Sequence, residues 1–154
     1  MKAYQLKDGF GLDKLQQVKL EDPGVGPGDV LVRMKSATLN YRDLLIISGV
    51  YNPKLKLPLI PISDGAGVVE AVGEGVHGFQ AGDAVIPLFN QSWMGGPPSF
   101  HRLSGTLGSP IDGVMSEKRV FKARGLVRKP DYLSFEEAAA LPCAAVTAWT
   151  TLVS

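Results

Sequence analysis

Hydrophobic and polar residues alternate with a period of two over several short segments, and this pattern predicts β-strands. The clearest strand begins after a turn at residues 27–29, and Val30, Val32 and Met34 define its apolar face. Arg33 and Lys35 lie on the opposite face with Leu31. The other predicted strands are Lys2–Leu6, Leu15–Leu20, Gly67–Val72, Asp83–Leu88 and Val114–Lys122. The pattern therefore predicts a mainly β fold with short helices.

One short helix is predicted after the clearest strand, where the spacing of apolar residues changes from two to three and four. Its stripe consists of Tyr41, Leu44, Leu45 and Ser48. Asn40 precedes the stripe as a natural N-cap, with an acidic residue, Asp43, in the first turn. Gly49 is the expected stop. The prolines Pro53, Pro58 and Pro61 then predict an exposed loop that leads inward.

A second helical region occupies the end of the chain. Ser134 and Glu137 have the spacing of a capping box, and Pro142 ends that helix or starts the next. Val146, Trp149, Thr150 and Val153 then repeat at helical spacing up to Ser154. We expect a main unit over residues 1–133 and a helical hinge segment over 134–154. The uncovered apolar stripe suggests a truncated chain, in which this segment leads to a domain that is absent.

Residues 90–112 are rich in Gly, Pro and Ser and show no period, so they predict a long irregular loop. Such loops are more often functional than idle in a compact domain. The basic stretch formed by Lys118, Arg119, Lys122, Arg124, Arg128 and Lys129 is interpreted as a solvated strand face, with an anion site as the alternative.

Composition narrows the function classes. The chain has 154 residues and a formal net charge of +1, which gives no electrostatic footprint for nucleic acid or an acidic membrane. No apolar run approaches the ~18 residues of a membrane span, and the N-terminus has no signal-peptide core. Cys143 is the single cysteine, so no internal disulfide forms. We therefore expect a cytoplasmic protein.

Two groups of residues that could suggest a cofactor or metal site have simpler structural interpretations. Gly73, Gly75 and Gly78 form a Gly-x-Gly-x-x-Gly, but a strand rather than a helix follows, which favours a β-turn over a dinucleotide site. One cysteine and two separated histidines, His77 and His101, do not build a zinc cluster with ordinary spacing.

Asn40 and the segment 63–67 each have a structural and a functional interpretation. Asn40 is first a helix cap, yet a cap at a strand-to-helix junction also points a small polar group into a cleft. Residues 63–67 are first a turn, but they follow the proline-rich loop and precede a buried strand. Cys143 has no evident base nearby and is interpreted as a small buried hydrophobe.

Taken in order, these segments resemble the medium-chain dehydrogenase/reductase family, whose N-terminal domain is a GroES-like, partly open β-barrel. The segments that carry the resemblance are PGDVLV at 27–32, NYRD at 40–43, PISDGAGVVEAV at 61–72, VGEGV at 72–76 with Phe79 and Gly82-Asp83, Asp112-Gly113, and SFEEAAALPCAAVTAW at 134–149. The resemblance covers essentially the whole chain.

The departures from the family pattern imply a particular branch. Zinc-dependent members carry Cys at the position of Asn40 and Gly-His-Glu at positions 62–64, where this chain has Ile-Ser-Asp. The loop over 90–112 also lacks the four cysteines of the structural zinc site. The resemblance thus implies a zinc-independent, quinone reductase-like enzyme that passes hydride directly from a nicotinamide, NADP(H) or NAD(H), to a quinone, enone or aldehyde.

The resemblance also implies site residues. Asn40 and Asp43 would line the cleft floor, Tyr51 the loop facing the substrate, and Ser63 and Asp64 the neighbourhood of the lost metal. Thr147, with Asn40, would approach the nicotinamide. The full-length protein is expected to be a homodimer, and this chain alone to be inactive. The alternative is a stand-alone GroES-like binding or assembly module without redox activity.

Overall fold

The computed structural model describes residues 1–153 as two antiparallel sheets with short helices. The smaller sheet pairs β1 (Lys2–Leu6) with β2 (Leu15–Lys19). The larger sheet comprises β3 (Asp29–Thr38), β4 (Asp64–Val72), β5 (Ala84–Pro87), β6 (Lys118–Lys122) and β7 (Leu126–Arg128). Its order is β6-β3-β4-β5-β7, and its edge strands β6 and β7 do not pair with each other. The sheet is therefore a curled, partly open half-barrel, as predicted.

Four short helices flank the sheets. They are α1 (Tyr41–Ile47), α2 (Phe100–Leu103), α3 (Phe135–Ala139) and α4 (Val146–Val153), and a π-helical turn over Leu141–Ala145 joins the last two. Single 3₁₀ turns lie at Leu12–Lys14 and Ala123–Gly125. Ser154, the last residue of the predicted hinge segment, lies outside the described residues. None of the helices in residues 1–153 is long and apolar enough to cross a membrane.

Two apolar clusters hold these elements together. The larger one lies inside the half-barrel and includes the inward residues Val30 and Val32 of β3, both fully buried. The smaller one joins Ala138 and Ala139 of α3 to Ala66 and Ile86 of the sheet. Because close-packed small side chains fix the separation of their backbones, this contact sets where the π-helical turn lies relative to β4.

The strand predictions were largely correct, with two errors. The predicted first strand matches β1, and the alternation in β3 buries Val30 and Val32 while exposing Arg33. The prediction for Val114–Lys122 was too long, since β6 begins at Lys118. The three-residue strand β7 was missed because so short a segment shows no alternation.

The basic stretch is not one solvated strand face. It spans β6, a 3₁₀ turn and β7, and most of its cations pair with carboxylates. The contacts are Lys118 with Asp22 and Glu70 (2.6 and 2.8 Å), Lys122 with Asp29 (2.6 Å), Arg128 with Asp83 (2.9 Å) and Arg119 with Asp112 (3.4 Å). These pairs join β6 and β7 to neighbouring segments, and the charges are largely compensated.

The boundaries of α1 were predicted correctly, but its buried face was not. Asn40 is the N-cap, and Gly49 follows the helix with a φ of 77°. The buried residues are Asp43, Ile46 and Ile47, whereas Tyr41 is 75% exposed. The helix carries apolar residues on two sides, so the sequence allowed either side to face the core. In the structure the side that carries Asp43, Ile46 and Ile47 is the buried one.

The segment 90–112 is less irregular than predicted. It contains α2, whose N-cap Ser99 accepts the backbone N–H of Arg102, and two isolated bridges, Asn90 with Thr106 and Leu107 with Ile111. The capping box of α3 is confirmed: Ser134 Oγ accepts the N–H of Glu137 at 3.1 Å, and Glu137 Oε2 accepts the N–H of Ser134 at 2.8 Å.

Candidate functional site

A groove of about 430 Å³ lies between the end of the large sheet and the C-terminal helices. Its sheet side is formed by residues 86–90, Trp93, Val127 and Arg128. Its helix side is formed by Leu141, Pro142, Cys143, Val146 and Thr147. The lining is mostly apolar and contains no carboxylate. Concave apolar pockets with a few polar groups are the usual sites for small organic ligands.

Ser63 and Asp64 lie directly behind the groove, at the start of β4. Both side chains are buried, and Ser63 Oγ donates to Asp64 Oδ1 at 2.8 Å. Asp64 Oδ2 accepts the backbone N–H of Cys143 at 2.8 Å. Each Asp64 oxygen thus binds a donor, and the carboxylate fastens the π-helical turn to the sheet. Single π-turns within helices are frequent at functional sites.

Cys143 lies half-buried in the groove wall. The sequence had predicted that it would be fully buried. Burial, and then the negative charge of Asp64, raise the pKa of its thiol. Because the thiolate is the nucleophilic form, the thiol is unsuited to covalent catalysis. Its backbone, not its sulfur, makes the polar contact with Asp64.

Asn40 and Asp43 meet at the first turn of α1. Asp43 Oδ2 accepts the backbone N–H of Asn40 at 2.8 Å. Burial raises the pKa of Asp43, and the nearby charge of Asp64 acts in the same direction, while the Asn40 N–H opposes it. The amide nitrogen of Asn40 is buried and has no hydrogen-bond partner among residues 1–153. These two residues do not line the groove.

Tyr51 is connected to the groove through Arg42. The Arg42 guanidinium carbon lies 4.9 Å from the Tyr51 ring centre and 5.0 Å from that of Phe89, which lines the groove. Arg42 also donates to the carbonyls of Leu107 at 3.1 Å and Ser109 at 2.7 Å. One cation therefore joins α1, the Tyr51 loop, Phe89 and the segment 107–109.

Thr147 is the one candidate residue that lines the groove itself. It lies in the first turn of the exposed helix α4. The structure therefore brings the candidates together in three connected groups: Asn40 with Asp43, Ser63 with Asp64, and Tyr51 through Arg42. Their catalytic and cofactor-binding roles stay predictions.

The glycine motif and the histidines do not contribute to this site. Residues 73–83 form a turn between β4 and β5, and no helix follows Gly78, as predicted. His77 and His101 are exposed. Within residues 1–153, no group of three or more His, Cys, Asp or Glu side chains could hold a metal ion. Both oxygens of Asp64 accept hydrogen bonds, one from the Ser63 hydroxyl and one from the Cys143 N–H.

A second cavity of about 380 Å³ lies elsewhere, between β1 and β3. Tyr4, Met34 and Met115 are among its lining residues, and none of the predicted site residues is. It is separate from the groove and from the polar groups behind it.

Sequence reasoning missed Arg42, Phe89, Trp93 and the lining role of Cys143. Arg42 stands beside the predicted Asp43, but its hydrogen-bond partners are 65 and 67 residues away in the chain. The sequence did contain one indication of Arg42: it is a basic residue within a short helix whose other residues are mostly apolar. That signal indicates a buried or stacked cation but not its partners.

The partly open antiparallel half-barrel, with a groove between one end of its sheet and the C-terminal helices, defines a GroES-like domain. The chain belongs to the alcohol dehydrogenase GroES-like domain family, whose profile matches residues 26–131. The resemblance to medium-chain dehydrogenases/reductases is thereby confirmed.

Individual relatives agree with this assignment. A zinc-type alcohol dehydrogenase-like protein of Schizosaccharomyces pombe is 48% identical over 92% of this chain and 41% of its own length. The crystal structure of an NAD-dependent alcohol dehydrogenase matches 99% of this chain and 46% of its own, with a TM-score of 0.87 and 38% identity. A Pseudomonas syringae quinone oxidoreductase matches 99% of this chain and 41% of its own, with a TM-score of 0.77 and 34% identity. The chain thus spans less than half the length of these relatives.

Proposed function

We propose that this chain forms the substrate side of an NAD(P)H-dependent oxidoreductase that reduces quinones or conjugated carbonyls without zinc. The observation that supports this best is the apolar groove backed by Asp64, a carboxylate committed to Ser63 and to the Cys143 N–H. Such a lining suits an uncharged organic ring. The similarity to a quinone oxidoreductase supports the substrate class.

The chemistry divides between cofactor and protein. The bound nicotinamide supplies the hydride, and the residues of this chain orient the substrate and polarise its oxygen. We assign Thr147 to the nicotinamide side, because it lines the groove on α4. Asn40 is the proposed donor to the substrate oxygen or the nicotinamide, since its amide nitrogen has no partner among residues 1–153. That atom is buried, so the assignment requires the side chain to turn towards the ligand.

Reduction of a conjugated carbonyl also needs a proton for the oxygen. We assign this proton to solvent, because Asp43 is 2% exposed and does not line the groove. Asp43 instead positions Asn40, whose backbone N–H it accepts at 2.8 Å. Tyr51, stacked on Arg42, would face the substrate, and Ser63 with Asp64 would hold the Cys143 wall in place.

The 154-residue chain alone is expected to be inactive. Direct hydride transfer requires the nicotinamide to be held against the substrate, and the only Gly-x-Gly-x-x-Gly within residues 1–153 is a turn between strands. The test mixes the purified chain with NADPH and phenanthrenequinone and follows absorbance of the reduced cofactor. Turnover by this chain would overturn the expected inactivity.

The proposed activity is tested on the protein encoded by the complete gene. We expect it to oxidise NADPH or NADH with quinones and to keep that activity in a zinc chelator. Loss of activity that added zinc restores would contradict the zinc-independent mechanism. If the gene stops after Ser154 and the product has no reductase activity, the alternative of a binding or assembly module replaces the enzyme.

A further inference from the structure

Trp93, in the 90–112 region, lines the groove, and its position is fixed by two polar contacts. Its indole Nε1–H donates to the carbonyl of Gly96 at 3.0 Å, and its backbone N–H donates to Asn90 Oδ1 at 3.0 Å. Asn90 is held in turn, because its amide nitrogen donates to Thr106 Oγ1 at 3.2 Å. Trp93 is 36% exposed although it is held in this way.

Phe89 lies on the same side of the groove and is likewise held before any ligand binds. The Arg42 guanidinium carbon is 5.0 Å from the centre of its ring. Two aromatic side chains therefore line one side of a mostly apolar groove, each fixed by a polar group outside it. Aromatic surfaces held in this manner bind flat rings with little loss of conformational freedom.

The charges around the groove limit the kinds of ligand that it can bind. Arg128 is the one charged residue in the lining, and its guanidinium pairs with Asp83. A cationic ring would meet no compensating carboxylate here. An uncharged, electron-poor ring complements the electron-rich indole of Trp93, and a quinone is such a ring.

We propose that Trp93 is the specificity-determining residue of the groove and that it selects planar conjugated rings over saturated rings of the same size. This inference rests on the proposed function for the nature of the substrate. It goes further in assigning the discrimination to one side chain, which stacks on the ring and takes no part in hydride or proton transfer.

The test measures equilibrium binding to the 154-residue chain with no reductant present. The chain contains two tryptophans, Trp93 and Trp149, so Trp149→Phe leaves a single indole N–H signal in the proton–nitrogen NMR spectrum. We expect 1,4-naphthoquinone to shift that signal, and its saturated counterpart, decahydronaphthalene-1,4-dione, to bind more weakly. Equal affinity for the two compounds, or binding that leaves the indole signal unmoved, would overturn the proposal.

Substitutions separate stacking from folding. Trp93→Leu is expected to weaken naphthoquinone binding about 3- to 10-fold, the range typical of aromatic pairing, and to leave the saturated dione unaffected. Trp93→Phe, which keeps a flat ring, should restore most of the preference. The matched control is Phe100→Ala, since Phe100 is 92% exposed in the same region but does not line the groove. Equal losses in Trp93→Leu and Phe100→Ala would contradict the assignment.

The rival occupant is the nicotinamide ring itself. If nicotinamide mononucleotide shifts the Trp93 signal and naphthoquinone does not, the aromatic wall belongs to the cofactor and the proposal fails. Failure of the proposed function looks different, because the complete protein would then not oxidise NAD(P)H with quinones while Trp93 still discriminated planar from saturated rings.

Discussion

The backbone N–H of Cys143 donates to Asp64 Oδ2 at 2.8 Å, across 79 positions of the chain. This bond joins the first residue of β4 to the π-helical turn that forms one wall of the groove. Asp64 is 1% exposed, and its other oxygen accepts the hydroxyl of Ser63. The geometry of the groove therefore depends on a buried carboxylate that never reaches its surface.

Replacing Asp64 should loosen this wall. Asp64→Ala removes both acceptors, and a buried donor left without an acceptor costs about 1–3 kcal/mol. Asp64→Asn keeps one carbonyl oxygen, so we expect a smaller loss of the free energy of unfolding. Urea denaturation gives that loss, and hydrogen exchange of the Cys143 amide shows whether it is local. Equal losses in the two variants, with unchanged exchange at Cys143, would contradict this role.

We expect the contribution of Arg42 to the free energy of unfolding to depend on the shape of its guanidinium as well as on its charge. Arg42→Lys keeps the charge but not the planar group that bonds the carbonyls of Leu107 and Ser109 and stacks between two rings. We therefore expect Arg42→Lys and Arg42→Met to lower the free energy of unfolding by similar amounts, about 1–3 kcal/mol.

The matched control is Arg124→Lys. Arg124 is exposed, so its substitution should change the free energy of unfolding by less than about 0.5 kcal/mol. Full stability in Arg42→Lys, with a loss in Arg42→Met alone, would mean that charge rather than geometry accounts for the effect.

The glycines of the formal Gly-x-Gly-x-x-Gly are expected to matter for packing and not for phosphate binding. A Cβ on Gly73 would lie 1.9 Å from the carbonyl oxygen of Gly26, a backbone atom that has little freedom to move. Gly75 has open space around it but a φ of +74°. We expect Gly73→Ala to prevent folding or to destabilise severely, and Gly75→Ala to lose about 1 kcal/mol.

Gly24→Ala provides the control for both variants, because a Cβ at Gly24 would meet nothing within 4 Å and no positive φ is involved. Thermal unfolding of the three variants ranks them. If Gly75→Ala were the most damaging and Gly73→Ala were tolerated, the turn would have a role that packing does not explain.

Asp43 should give the stability a pH dependence of unusual sign. Burial raises its pKa from the ordinary value of 3.8, so the unfolded chain releases this proton at a lower pH than the folded protein. As pH rises from 3.8 through the raised pKa, the folded state holds more protons, and the free energy of unfolding falls. We expect Asp43→Asn, which keeps an acceptor for the Asn40 N–H, to flatten this part of the curve.

Asp22 gives the opposite behaviour and serves as the contrast. Hydrogen bonds from Lys118 and the N-terminal amine lower its pKa to about 2, so its stabilising contribution is present above 3.8 and lost as pH falls towards 2. Urea denaturation as a function of pH should distinguish the two variants. In Asp22→Asn the free energy of unfolding should change its pH dependence only below 3.8, whereas in Asp43→Asn it should change above 3.8. A pH profile of Asp43→Asn that matches the unsubstituted protein would overturn the prediction.

Local features of the fold were predictable from the sequence because their causes are local. The alternation in β3, the capping box of Ser134 and Glu137, and the stop at Gly49 each depend on neighbours within a few residues. The buried face of α1 was not predictable in this way, since it depends on tertiary contacts that bury Asp43 beside Asp64. The same holds for the groove: the resemblance indicated Ser63 and Asp64, but no local pattern links them to Cys143.

The exposed face of α4 should make the chain self-associate. Val146, Trp149, Leu152 and Val153 are between 59 and 83% exposed and follow one another at helical spacing. A continuous apolar surface of this kind favours association or fraying in water. We expect sedimentation velocity to show concentration-dependent self-association that Leu152→Glu reduces. Leu12→Glu is the control, because Leu12 is 69% exposed but distant in sequence from α4. A strictly monomeric chain whose α4 amides are strongly protected from hydrogen exchange would contradict this expectation.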